Sequence, residues 1–363
     1  MRRLNQILFL FVLMHSSCVL NAKNNTAVPN LALPAATISG TTSVCQNAAS
    51  PQITFTGSGG TAPYTFTYTV TGVAGIQNIT TTSGDSVSVS APTTSSGIFI
   101  YTLILVKDSS GYQLQYGSAT ITVTPQPNAN LNSSATSDTF NGFPVFKICS
   151  NQNTLIDFFN SSTTTASNVD YTINWGDGTP NFTSTSNWTT TSHNYSVGIW
   201  TLLYTIMDSN GCSITKTYKV FIGNTPAVGL GNPGNTDICI SSSLTFPITG
   251  TENNPPGTTY IVTFNDGSVP ISLNHPPPPS ITHTFLKNSC GATSTVGPTT
   301  YQNSFFASIV AVNPCDQSSA SVVPIRISTT PESNFSLPQT IQCTNNQICL
   351  TNISTGGDSA TST

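Results

Sequence analysis

Tyr171-Thr172-Ile173-Asn174-Trp175-Gly176-Asp177-Gly178-Thr179 is the stretch on which the fold turns. Tyr171, Ile173 and Trp175 alternate with Thr172 and Asn174, the two-residue period of a strand with one buried face. Gly-Asp-Gly then closes the run. Glycine accepts positive φ, and an aspartate side chain bonds the backbone two residues on, so the trio makes a tight turn. Downstream, Trp200, Leu202, Tyr204 and Ile206 alternate with Thr201, Leu203 and Thr205. Strand, turn and strand, with little sign of helix, set the reading for the rest of the chain.

The composition agrees. Only 6% of the 363 residues are charged, against about 25% in an ordinary soluble protein. The hydrophobic fraction is nonetheless 37%, and the mean hydropathy is +0.01. Neutral polar groups supply the rest: Ser and Thr number 106. Threonine is β-branched and suits a half-buried pleated surface. Nine Lys and Arg are too few for a nucleic-acid interface. Thirteen carboxylates and four His are spread over the chain. No His-Glu-x-x-His, Gly-x-Ser-x-Gly or paired-carboxylate motif gathers them. The expectation is a non-enzymatic protein with no cofactor and no metal.

The amino terminus reads as an export signal over residues 1–22. Arg2 and Arg3 precede an apolar run from Ile7 to Met14, and Leu20-Asn21-Ala22 offers a cleavage site. Ser16-Ser17-Cys18 offers a rival, lipidated terminus. Removing residues 1–22 takes the formal charge from −4 to about −6, the mild acidity of a solvated exported surface. No later stretch is apolar for long enough to cross a bilayer as a helix.

The cysteines expose a repeat. Cys45, Cys149, Cys239 and Cys343 are spaced by 104, 90 and 104 residues. Each of the first three precedes a strand-like run: Gln52 to Phe55, Leu155 to Phe158, and Leu244 to Phe246. Each unit ends in a strand and a proline joint, at Pro125, Asn224-Thr225-Pro226 and Thr330-Pro331. A period near one hundred is a whole small domain. Sandwich-like units are expected over 35–126, 127–225 and 226–330, with a fourth begun over 331–363 and the chain stopping before it can close. Seven or so short strands per unit describe an immunoglobulin-like β-sandwich, and the fold class is all-β.

The second unit carries four motifs in order: Trp175-Gly176-Asp177-Gly178, His193-Asn194-Tyr195, Gly198-Ile199-Trp200-Thr201-Leu202 and Asp208-Ser209-Asn210-Gly211-Cys212. It resembles a polycystic-kidney-disease (PKD) domain, an extracellular immunoglobulin-like sandwich. The third unit is similar through Phe264-Asn265-Asp266-Gly267, His283-Thr284-Phe285 and Asn313-Pro314-Cys315, with an insertion around Cys290. The first unit lacks the Gly-Asp-Gly turn. Its Gly57-Ser58-Gly59-Gly60-Thr61-Ala62-Pro63-Tyr64 stretch resembles repeats of large surface proteins of gliding Bacteroidota.

The resemblance implies roles for particular residues. Gly176, Asp177 and Gly178 form a structural turn, with calcium ligation by Asp177 or Asp266 as the sharper alternative. His193 stands at a sandwich corner, bonding backbone. Trp175 and Trp200 belong to the core. Trp188 lies in the polar stretch Ser184 to Thr190; it either folds over the sandwich edge or stacks on a sugar. Cys149 is expected to join Cys212, and Cys239 to join Cys315 from matching places. Cys45 and Cys290 have no evident partner, and Cys343 and Cys349 pair with each other or further on. The implied role is extracellular: an array of sandwiches for adhesion and spacing, meeting surface glycans or other cell-surface proteins. The alternative is a glycan-binding or spacer region of a secreted polysaccharide hydrolase or protease, with its catalytic domain beyond residue 363.

Overall fold

Ile53 and Phe55 turn inward from their strand while Thr54 and Thr56 turn out, and this period recurs through the chain. The computed structural model describes residues 32–150, 154–337 and 350–357. The expected signal segment at 1–22, Cys18, Cys343 and Cys349 lie outside those residues. Among the described residues every regular element is a strand. The chain divides into two compact units, 1–123 and 124–363.

The first unit contains β1 (Ala35–Ser39), β2 (Thr42–Cys45), β3 (Gln52–Ser58), β4 (Thr65–Val70), β5 (Gln77–Thr80), β6 (Ser86–Ser90), β7 (Gly97–Lys107) and β8 (Tyr112–Thr124). They form two sheets, ordered β1-β3-β6 and β2-β8-β7-β4-β5. Phe55, Phe66, Tyr101 and Ile121 fill the space between them.

The second unit holds two further sandwiches. One contains β9 (Leu131–Ser133), β10 (Thr136–Phe140), β11 (Phe143–Ile148), β12 (Leu155–Asn160), β13 (Asn168–Asn174), β14 (Phe182–Ser184), β15 (Thr190–Asn194), β16 (Gly198–Asp208) and β17 (Ser213–Ile222). Its sheets run β15-β12-β9 and β10-β11-β17-β16-β13-β14. Phe158, Tyr171, Trp175 and Tyr204 pack between them.

The other contains β18 (Gly229–Leu230), β19 (Asp237–Cys239), β20 (Ser243–Thr249), β21 (Thr259–Phe264), β22 (Ile271–Asn274), β23 (Ser280–Thr284), β24 (Thr293–Val296), β25 (Thr299–Gln302), β26 (Phe305–Val312) and β27 (Gln317–Glu332). Its sheets run β18-β20-β23 and β19-β27-β26-β21-β22, and β24-β25 is a separate hairpin inside the insertion around Cys290. Beyond them, β28 (Phe335–Ser336) pairs with β29 (Thr351–Asn352), and β30 (Thr355–Gly357) pairs with the end of β27.

The three sandwiches are tandem immunoglobulin-like units of one design. In the second and third, a short strand after the first one crosses to the larger sheet and runs parallel to the last strand. Ile148 of β11 lies opposite Ile222 of β17, and Ile238 of β19 lies opposite Ile327 of β27. Each of these crossover strands is followed or ended by a repeat cysteine, and that register decides where the cysteines go.

Outward faces carry cross-strand hydroxyl pairs. Thr54 bonds Ser88 (2.9 Å), Thr65 bonds Thr80 (2.9 Å), Thr205 bonds Thr215 (2.7 Å), and Thr245 bonds Thr282 (2.8 Å). Here the abundance of Ser and Thr acquires a place in the fold. A sheet face with few charges is satisfied by its own hydroxyls across the strands.

Candidate functional site

Two features stand at the sites singled out from the sequence: a clasp between sheets, present in the second and third sandwiches, and a covalent joint between those two sandwiches.

The clasp is built on the turn after β13. Gly176 has φ 79°, and a Cβ there would come within 2.0 Å of the Thr201 carbonyl oxygen, so only glycine fits. Asn174 Oδ1 accepts from the Gly176 amide (2.9 Å). Asp177 Oδ1 accepts from the Thr179 amide (3.1 Å) and hydroxyl (2.6 Å). Asp177 Oδ2 lies 2.7 Å from His193 Nε2 on β15, which joins the smaller sheet to the turn of the larger one. The His193 ring stacks on Trp175 at 4.3 Å and meets the edge of Tyr195 at 4.7 Å. Tyr195 Oη donates to the Trp175 carbonyl (3.1 Å).

The resemblance implied that His193 bonds backbone; its ring nitrogen instead meets the Asp177 carboxylate. Its strand neighbours already satisfy the local backbone through the β12–β15 ladder, so the ring is left for the turn. The third sandwich repeats the arrangement. His283 Nε2 lies 2.7 Å from Asp266 Oδ2, its ring stacks on Phe264 at 3.8 Å, and Phe285 presents an edge at 4.7 Å.

Burial disfavours the charge on Asp177, yet the hydrogen bonds from His193 and Thr179 outweigh it and hold the carboxyl below its ordinary range. Asp266 behaves alike, with His283 and Ser268 as its partners. Chemically the pairs are saturated. Both oxygens of Asp177 are engaged, and the His193 Nε2 is directed at one of them. Among the described residues no group of three or more His, Cys, Asp or Glu is arranged to hold a metal ion.

Trp188 is not an exposed platform. It is 8% exposed and belongs to the core of the second sandwich, with Phe182 and Tyr204 at 5.2 and 5.9 Å in edge contacts. The polar residues around it are the outward half of a strand-edge segment, and the indole fills the space beneath.

The joint corrects the expected disulfides. Cys149 bonds Cys315, 166 residues on, with 5.7 Å between their Cα atoms. Cys149–Cys212 is ruled out by geometry. Cys149 follows Ile148, level with the end of β17, whereas Cys212 precedes the start of that ten-residue strand. At about 3.3 Å per residue the two stand on the order of 30 Å apart, far beyond the reach of a disulfide. The length of β27 separates Cys239 from Cys315 in the same way, and Cys239 is an exposed free thiol. Cys45, which showed no evident partner in the sequence, is disulfide-bonded, as is Cys212.

Around the Cys149–Cys315 bond the second and third sandwiches meet closely. Lys147 Nζ donates to the Pro314 carbonyl (2.8 Å) and to Asp138 Oδ2 (2.5 Å). Buried Asn313 donates to the Asn224 carbonyl (3.0 Å). Buried Asn254 accepts from the Ala227 amide (2.8 Å) and donates to its carbonyl (2.7 Å). A Cβ on Gly257, whose φ is 93°, would come within 2.5 Å of Ile199, so the absence of a side chain lets the two ends approach. The Asn224-Thr225-Pro226 connection is thus pinned on both sides. Sequence reading marked it as a joint and placed Asn313 in a turn motif; it missed Asn254, whose only signal was its place beside Pro255-Pro256.

No family model matches the chain, and no curated protein matches it. Solved structures similar to it include a Ca2+-stabilised adhesin with which an Antarctic bacterium binds ice (13% identity, 84% of this chain and 76% of that one, TM-score 0.31). A second is a 1.5-MDa bacterial ice-binding adhesin (13% identity, 82% and 98%, TM-score 0.25). A third is the chicken CNTN1 FN1–FN3 segment (10% identity, 77% and 97%, TM-score 0.29). At such identities the likeness concerns fold class only, and the all-β assignment rests on the strands themselves. Among the described residues no helix is long and apolar enough to cross a membrane.

Proposed function

We propose that this chain is a non-catalytic, secreted or surface-attached protein whose tandem sandwiches hold a contact surface away from its anchor and take part in adhesion. The observation that carries this reading is the Cys149–Cys315 bond between consecutive sandwiches. A bond placed there adds nothing to a catalytic cleft; it fixes the direction of one domain relative to the next. Structural disulfides also belong to an oxidising compartment outside the cytosol, in keeping with the signal-like residues 1–22. The ordered motifs of the second and third sandwiches favour PKD-type modules, and the Gly57 to Tyr64 stretch of the first favours a repeat like those of the surface proteins of gliding Bacteroidota. Surface glycans or cell-surface proteins are the partners this role calls for, met through neutral, hydroxyl-rich faces.

The alternative, an accessory region of a secreted hydrolase or protease, would gain support from an aromatic platform around Trp188, and that indole is buried. The test is attachment under flow. Beads coated with the chain are expected to hold to glycan- or protein-coated surfaces against shear while showing no turnover of polysaccharide or peptide substrates. Hydrolysis of either substrate, or failure to hold to any such surface, would count against the reading.

A further inference from the structure

The connection between the second and third sandwiches is held by Asn254, and Asn254 is itself held by two further side chains. Its Oδ1 accepts from the Ala227 amide (2.8 Å), and its Nδ2 donates to the Ala227 carbonyl (2.7 Å). These two bonds imitate a strand pairing and fix which end of the side-chain amide is nitrogen. The second hydrogen on Nδ2 goes to Tyr260 Oη (2.7 Å). That oxygen accepts from Asn254, so it must send its own hydrogen elsewhere. His275 Nδ1 lies 3.0 Å from it. Burial pushes the Tyr260 hydroxyl above its ordinary range, so it keeps its proton and donates. His275 Nδ1 is then the acceptor, and the ring is the neutral Nε2–H tautomer.

Only the neutral ring can fill this role. A protonated imidazole donates from both nitrogens, and its Nδ1 hydrogen would face the hydrogen of Tyr260. Tyr260 is fully buried. Among the described residues its hydroxyl bonds only Asn254 and His275, and a buried donor without an acceptor is costly. The His275 side of the pair is half-buried and within reach of solvent protons. Charged and titratable groups come to this corner from several elements. Glu252, in the connection before β21, acts on Tyr260. Exposed Asp316 lies in the turn whose Asn313 bonds Thr258, and the Thr258 carbonyl accepts from the His275 amide. From the second sandwich, Lys147 reaches Pro314 of that turn, and Gly198, which follows the His193 strand, lies beside Pro256.

We infer that His275 is a proton-operated latch on this connection: the neutral ring holds Tyr260, and through it Asn254, against Ala227, and protonation releases them. Each link of Ala227, Asn254, Tyr260 and His275 is a hydrogen bond. The connection is pinned where the imidazole is neutral and loosened where it is charged. The Cys149–Cys315 bond keeps the two sandwiches together in both states, so the change is one of stiffness. Imidazole is the side chain that changes charge between about pH 5 and 8. The inference goes beyond the spacer reading and does not depend on its adhesive part.

The test follows the Ala227 amide by hydrogen exchange in the full chain at about pH 8 and about pH 5, with rates corrected for the intrinsic effect of pH. Protection is expected to fall at the lower pH by about five- to tenfold, the worth of one hydrogen bond. His275→Gln cannot take up the proton, and Tyr260→Phe cuts the chain of bonds; each should remove the difference between the two conditions. Unchanged protection in the wild-type protein overturns the inference. So does a loss that persists in either variant, which would belong to His193 or His283 instead. Histidine nitrogen NMR of the wild-type protein at about pH 8 decides even where neither variant folds. His275 Nδ1 is expected to be the unprotonated nitrogen, and an Nδ1–H tautomer would sink the latch.

Discussion

Gly176 and Gly178 flank the same aspartate, yet they respond differently to a side chain. Both have positive φ, but a Cβ on Gly176 collides with the Thr201 backbone while one on Gly178 meets open space. Gly176→Ala is expected to cost about 2–4 kcal/mol and Gly178→Ala about 1 kcal/mol, measured by urea unfolding; equal costs would refute the assigned contact. The aspartates define a pH dependence. Asp177 and Asp266 have folded values below the ordinary 3.8. Their contribution is therefore complete above about pH 4 and is lost as the pH falls through the lowered values. Asp177→Asn and Asp266→Asn should each flatten the acid limb of stability below pH 4. An unchanged limb in both variants would show that the clasps do not supply it. Trp188→Ala, emptying a buried site, is expected to cost about 3–5 kcal/mol.

Strands here owe their specificity to two faces with different chemistry. Leu244, Phe246 and Ile248 of β20 enter the core, while Ser243 and Thr245 pair with Thr284 and Thr282 across the sheet. A one-residue slip of register would bury the hydroxyls and expose the apolar set. The hydroxyl pairs thus reinforce a choice the core already makes. A double-mutant cycle of Thr245→Val and Thr282→Val should give a coupling of about 0.2–1 kcal/mol, read from chemical denaturation; zero coupling would mean that the ladder is only decorative. The alternation that set these strands was legible throughout. The parallel pairing of β11 with β17 and of β19 with β27 was not, because a short strand that crosses between sheets keeps the same residue period on either one.

At the scale of the molecule, the staple converts two sandwiches into one mechanical unit. It closes a loop of 166 residues, which the chain-entropy model values at about 5 kcal/mol. Pulled from its ends, the wild-type second unit should withhold the chain between Cys149 and Cys315. Reduction, or the double change Cys149→Ser and Cys315→Ser, should release on the order of 600 Å of additional contour, measured by single-molecule force spectroscopy. Equal contour lengths in oxidised and reduced protein would refute the bond. The sequence marked the repeat cysteines but pointed to pairs inside each sandwich, since the four ordered motifs describe one domain at a time.

What the amino-acid sequence determined by itself was local. Period-2 alternation specified strands, Gly-Asp-Gly specified the turn, and cysteine spacing specified a unit near one hundred residues. The low charge also stands: several of the few carboxylates are held at turns and clasps, as with Asp108, whose carboxylate accepts from Ser110, Gly111 and Thr61. Only the tertiary structure decided which cysteines meet, that His193 and His283 bind the turn carboxylates, and that Trp188 is buried. The physical reason is distance. Alternation and turn chemistry act within a few residues and leave a periodic trace in the chain, whereas Cys149 and Cys315 are brought together by the end-to-end packing of two domains, which leaves no period to read.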